Sequence, residues 1–143
     1  ASYVENANVY KKQIKEAITP LRDRIMKIAP QQRWLVSCEG AFSYLIHDFK
    51  MRELYLWPIN ADGQGTPQQI RRVIDTVRKN NIPAVFCEST VSQSPAKQIA
   101  NETGSKYGGV LYVDSLTIAT GKVPTYLDLL RITSETIASG LEP

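Results

Sequence analysis

Apolar residues recur at helical spacing from the start of the chain to about residue 29, with Ile14, Ile18, Leu21, Ile25 and Ile28 on one face. Ser2 and Glu5 form an S-x-x-E start signal for that helix, and Pro20 inside it predicts a kink. After Pro30 the pattern changes to short apolar runs separated by amphipathic stretches. The runs at 33–38, 53–57, 84–87 and 110–113 predict strands; the stretches at 40–49, 66–80, 95–102 and 125–139 predict helices. Start signals mark three of them: Thr66-Pro67-Gln68-Gln69, Ser94-Pro95 and Thr125-Tyr126-Leu127-Asp128. Strand alternating with helix predicts an α/β fold in three layers. A four-stranded parallel sheet of order 2-1-3-4 would lie between flanking helices, preceded by the long first helix.

Composition narrows this picture. With 143 residues and 43% hydrophobic content, one core is expected. The 17 basic residues are scattered among 14 acidic ones, so no basic stripe points to nucleic acid. No apolar stretch approaches the roughly 18 residues of a membrane span. The opening carries neither a methionine nor a signal-peptide core, which suggests a processed or excised soluble piece. Cys38 and Cys87 end neighbouring predicted strands. A bridge there demands particular geometry, and two buried free thiols are the expectation. His47, the one histidine, has no second ligand a turn away and is expected at the surface or satisfied within its helix. Trp34, Trp57, Tyr44, Tyr55 and Tyr112 are expected in packing roles.

In an open parallel sheet, function gathers beyond the carboxyl ends of the strands. That rule selects Glu39 after the first strand, Glu88 and Ser89 after the third, and Asp114 and Ser115 after the fourth. The loop after the second offers Asn60 and Asp62. Three carboxylates on one rim suggest a cation, although each is equally at home as a helix cap. Phosphate-loop, dinucleotide, nucleophile-elbow and zincin motifs are missing from the sequence, so no enzyme and no catalytic residue is expected. One alternative is a receiver-like or flavodoxin-like regulatory domain holding magnesium on these carboxylates. Ser37-Cys38 stands where a receiver would carry an acidic pair, and no lysine follows the last strand. Another is a small hydrolase using Ser37 or Ser89.

Five runs occur in one order: RWLVSCEGAF at 33–42, LWPIN at 56–60, GTPQQI at 65–70, IPAVFCES at 82–89, and GVLYVDS at 109–115 leading into TYLDLL at 125–130. Together they resemble the C-terminal half of the cluster A-I solute-binding proteins of bacterial metal ABC transporters. The resemblance implies that residues 1–29 are the backbone helix joining two lobes and that residues 30–143 are the C-terminal lobe, without the N-terminal one. It implies one metal held between lobes, by two histidines of the N-terminal lobe and by Glu39 and Asp114 here, with Glu88 fixing neighbouring loops instead. Glutamate at 39, where the zinc-selective branch commonly has histidine, tilts the expected ion to manganese, with iron or zinc as alternatives. Cys38 departs from the small residue expected before that glutamate. The implied partners are the N-terminal lobe and an ABC permease, and the implied location is the periplasm or cell surface. The 58–65 loop is expected to face one of those partners. Alone, the chain would hold half a site, bind metal weakly or not at all, and expose a rim prone to self-association.

Overall fold

The computed structural model describes residues 2–143, so Ala1, which the sequence places at the start of the first helix, lies outside the described residues. Helix α1 spans Tyr3–Met26, and a single 3-10 turn, Pro30–Gln32, leads into strand β1, Trp34–Gly40. There follow α2 (Ser43–Asp48), β2 (Arg52–Pro58), α3 (Pro67–Asn80), β3 (Ala84–Glu88), α4 (Ser94–Thr103), β4 (Lys106–Leu111) and α5 (Tyr126–Leu141). Helix starts follow local chemistry. Thr66 and Gln69 exchange both bonds of a capping box with Pro67 at the first helical position, and the hydroxyl of Thr125 accepts from the Asp128 N–H. Ser2 accepts from the Glu5 N–H. The expected cap at Ser94 is not one: Ser94 is already helical, and its N–H donates to the Ser92 hydroxyl. Helix α1 continues through Pro20, beside which the Thr19 hydroxyl bonds the Lys15 carbonyl at 2.7 Å.

Strand alternation sorts side chains into two cores. Val36 and Cys38 of β1, with Val85 and Cys87 of β3, pack against Val73, Val77 and Ile99 of α3 and α4. Leu35, Ala84 and Phe86 point the other way, onto Ile25 of α1, Ile46 of α2 and Ile137 of α5. Helices therefore cover both faces, as the three-layer reading expects. The strands themselves form two parallel pairs, β1 with β2 and β3 with β4, rather than one registered ladder of four. The pairs abut where Cys38 and Cys87 lie 5.0 Å apart between Cα atoms.

Strand β4 begins earlier than expected and ends at Leu111 rather than residue 113. Gly108-Gly109, expected just ahead of the fourth strand, is a bulge within it: Val85 pairs with Tyr107 and Phe86 with Gly109, skipping Gly108. A Cβ on Gly108 would lie 2.2 Å from the Phe86 ring, and Gly109 has φ +120°. The glycines let the strand pass over a buried aromatic ring. Tyr44, expected to pack, is instead 92% exposed, whereas Trp57 is buried.

Helix α1 meets the lobe only through its C-terminal half. Leu21 and Ile25 are buried, while Tyr3, Val4 and Val9 stand exposed. Beside the buried pair, Arg24 reaches across to α5. It bonds Glu142 at 2.6 and 2.8 Å and Glu135 at 2.6 Å. The guanidinium holds both carboxyls below the usual carboxylate range. Groups with depressed pKa values contribute stability above their unfolded pKa, near 4.5, and lose it as pH falls through the lowered folded values. Arg24→Gln is thus expected to lower the melting temperature at neutral pH, with the gap from wild type narrowing in acid. Thermal melts of both proteins between about pH 3 and 7 check this, and a gap that does not change with pH would contradict it.

Candidate metal centre

The carboxyl ends of β1 and β3 meet at one point, and three connections converge there. Cys38 and Cys87 are joined as a disulfide, so the expected free thiols are not present. The reason is tertiary. Both side chains alternate onto the α3/α4 face of adjacent strands, and the Cα separation of 5.0 Å falls within the range a disulfide spans. One residue further along each strand, alternation turns the side chains to the other face. There Glu88, 1% exposed, accepts the backbone N–H of Glu39 on both carboxylate oxygens, at 3.1 and 3.2 Å.

Glu39 is held at each of its polar groups. Its N–H goes to Glu88. Its carbonyl accepts from the Ser37 hydroxyl and from the Ala41 N–H, both at 2.9 Å. Its carboxylate, half-buried at the rim, accepts from the Asn60 N–H at 3.1 Å. Asn60 has φ +59°, in the turn after β2, so the 58–65 loop is tied directly to this glutamate. Its donor is neutral, which leaves the negative charge of Glu39 available to a cation.

Asp114 lies in a bend three residues beyond β4, exposed, and its side chain makes no hydrogen bond or ion pair among the described residues. The segment leading to it is fixed from behind. The buried Thr133 hydroxyl on α5 accepts the Tyr112 N–H and donates to the Tyr112 carbonyl, both at 3.0 Å. Glu88 is a different kind of carboxylate. Burial pushes its pKa up, while the Glu39 N–H acts in the opposite direction. Its own carbonyl accepts from the Gln93 side-chain amide at 2.6 Å, and Gln93 in turn accepts from the Tyr107 hydroxyl.

Cys38, Cys87 and Glu88 form the one cluster of potential ligand atoms, within 4.8 Å of one another, found among the described residues. Its sulfurs are bonded to each other and are not thiolate ligands. It braces the rim. His47 is exposed beside Asp48, 3.7 Å away, as a surface histidine. The rim rule thus found the acidic residues, but it could not separate a buried brace from two outward carboxylates. The strand period does not carry that difference, since Glu39 and Glu88 each follow a bridged cysteine and share a phase; the elements packed over each strand end do.

The sequence model of the family described as "Zinc-uptake complex component A periplasmic", ZnuA, matches residues 1–140. The chain belongs to the ZnuA family. Over 139 residues it is 57% identical to the iron-binding protein YfeA of Yersinia pestis, covering 97% of this chain and 45% of YfeA. The Mn-bound periplasmic metal-binding protein of Candidatus Liberibacter asiaticus superposes with a TM-score of 0.90 at 47% identity, covering 98% of this chain and 52% of that one. The periplasmic zinc-binding protein TroA of Treponema pallidum shares the fold, with a TM-score of 0.85 at 17% identity. The chain spans about half the length of these proteins. The family and these relatives are described as periplasmic or metal-binding proteins, and none of them supports the receiver-like reading. An oxidising location agrees with the disulfide.

The bridge closes a separation of 49 residues, and by restricting the unfolded chain it should stabilise the lobe by about 2–4 kcal/mol. The double variant Cys38→Ser, Cys87→Ser is expected to unfold at correspondingly lower denaturant concentration. Alkylation of the denatured wild-type chain should add no label before reduction and two labels after it.

Proposed function

We propose that the chain is the C-terminal lobe of a solute-binding protein that captures a divalent metal outside the cytoplasm and passes it to an ABC permease. The observation carrying this reading is Glu39: a rim carboxylate in a ZnuA-family sequence, anchored at both backbone polar groups yet paired only with a neutral donor. Glu39 and Asp114 are this lobe's ligands, and residues 1–29 link it to a companion lobe that supplies the rest. Two carboxylates are hard donors suited to manganese or iron, and manganese is the proposed cargo; zinc would bind the same oxygens under the Irving–Williams order. The surroundings of the two ligands support burial against another lobe. Ile59 beyond β2 and Leu116 and Ile118 beyond Asp114 are exposed, as are Tyr44 and Tyr126 beside them in the chain order of α2 and α5. Large apolar side chains left open around a polar pair suit a surface that is covered in the whole protein.

In the full-length protein, Glu39→Gln and Asp114→Asn should each weaken Mn2+ binding by roughly tenfold or more, since even groups that only orient a ligand are worth that much. The isolated chain should fold but bind Mn2+ far more weakly than the full-length protein, because water must complete the shell. Calorimetry measures both. Wild-type affinity in Glu39→Gln, or tight stoichiometric binding by the isolated chain, would overturn the assignment.

A further inference from the structure

Glu88 is difficult to explain as packing. A carboxylate at 1% exposure has given up its hydration, and no lysine or arginine pairs with it among the described residues. Such a group costs several kcal/mol to bury unless hydrogen bonds replace the lost water. A methionine or glutamine would fill the volume at lower cost. What the carboxylate does have, besides its own backbone N–H and the nearby Ser37 hydroxyl, is the Glu39 N–H, which both of its oxygens accept and which sits at the seam between two strand pairs that share no ladder. In a continuous sheet a carbonyl would take that N–H and fix the backbone. Here the side chain of Glu88 takes it instead. Glu88 is itself held in place: its carbonyl by Gln93, the Ser89 N–H by the Leu111 carbonyl, and the preceding cysteine by the disulfide.

We infer that Glu88 is a positioning residue for the metal site, setting the backbone of Glu39, and so the direction of its carboxylate, through the Glu39 N–H. The inference rests on the reading of Glu39 as a metal ligand. Reach matters more than charge in this role. Glutamine keeps an acceptor oxygen at the same distance, whereas aspartate keeps the charge but withdraws the oxygens by one methylene from an N–H now 3.1 Å away. A wholly structural role predicts that affinity is indifferent to both changes once the protein is folded. A ligand role predicts that glutamine is as harmful as it is at position 39.

The test measures Mn2+ affinity of the full-length protein by calorimetry in Glu88→Gln, Glu88→Asp and Glu39→Gln, each with its melting temperature. Positioning predicts that Glu88→Gln stays within about threefold of wild type while Glu88→Asp falls roughly tenfold, the range for residues that orient a metal ligand. Affinity would then follow reach and not the order of melting temperatures. Wild-type affinity in Glu88→Asp, with Glu39→Gln impaired, would overturn the role of Glu88 and leave the metal reading standing. A loss in Glu88→Gln equal to that in Glu39→Gln would overturn it as well, by making Glu88 a ligand. Wild-type affinity in Glu39→Gln would remove the metal reading itself. Should Glu88→Asp not fold, Glu88→Met takes its place: it fills the volume without an acceptor, so positioning predicts a roughly tenfold loss of affinity, and wild-type affinity there would overturn it.

Discussion

The seam between the two strand pairs is the constraint on which the lobe depends. Parallel strands normally gain their relative position from a ladder of backbone bonds, each modest in net free energy but cooperative in number. Between β1 and β3 that ladder is not registered, and the junction is closed by a covalent bond on one face and a side-chain carboxyl acceptor on the other. Period-two alternation explains why both are available together: consecutive residues, Cys38-Glu39 and Cys87-Glu88, point to opposite faces of their strands. The cysteines stitch the α3/α4 core, and the glutamates meet on the α1/α5 side and at the rim.

The rim inherits its order from that junction. Glu39 is fixed by Glu88, by the Ser37 hydroxyl and by the turn after β2, with no cation among its partners. A guanidinium or ammonium in the place of the Asn60 N–H would compete with an incoming metal for the same charge. A neutral donor orients the carboxylate and leaves that charge unmet. Asp114 reaches the same end of the fold differently, on a loop whose root is clasped by Thr133. One carboxylate is thus rigid and the other rests on an irregular segment.

The same division runs through α1. Its C-terminal half is part of the lobe, buried at Leu21 and Ile25 and clamped by Arg24 to the end of α5, while its N-terminal half exposes Tyr3, Val4 and Val9. Through Ile25 the buried half packs on the α1/α5 side of the sheet. The buried edge of that side is Phe86, the residue directly before the disulfide.

Most of the element order was legible in the sequence because it depends on local chemistry. Apolar periodicity marks α1, α3 and α5, and the Thr66-Pro67 and Thr125 caps form bonds within four residues of themselves. The family motifs, and with them Glu39 and Asp114 as candidates, were equally legible, since they are strings of adjacent residues. Features that join distant segments were not. Gly108-Gly109 lies inside a strand because Phe86, from another strand, occupies the space a Cβ would need. Cys38 and Cys87 become a disulfide only because two strands 49 residues apart are brought to 5.0 Å at that level. Glu88 and Glu39 look alike as acidic residues ending strands, and only the packing of α1, α2 and α5 decides that one is buried as a brace while the other keeps its carboxylate at the surface. The sequence determined which residues could serve the rim. Tertiary structure decided which of them stay open there, because Glu39 and Glu88 share a strand phase and only the elements packed over each strand end, far away in sequence, bury one and leave the other at the surface.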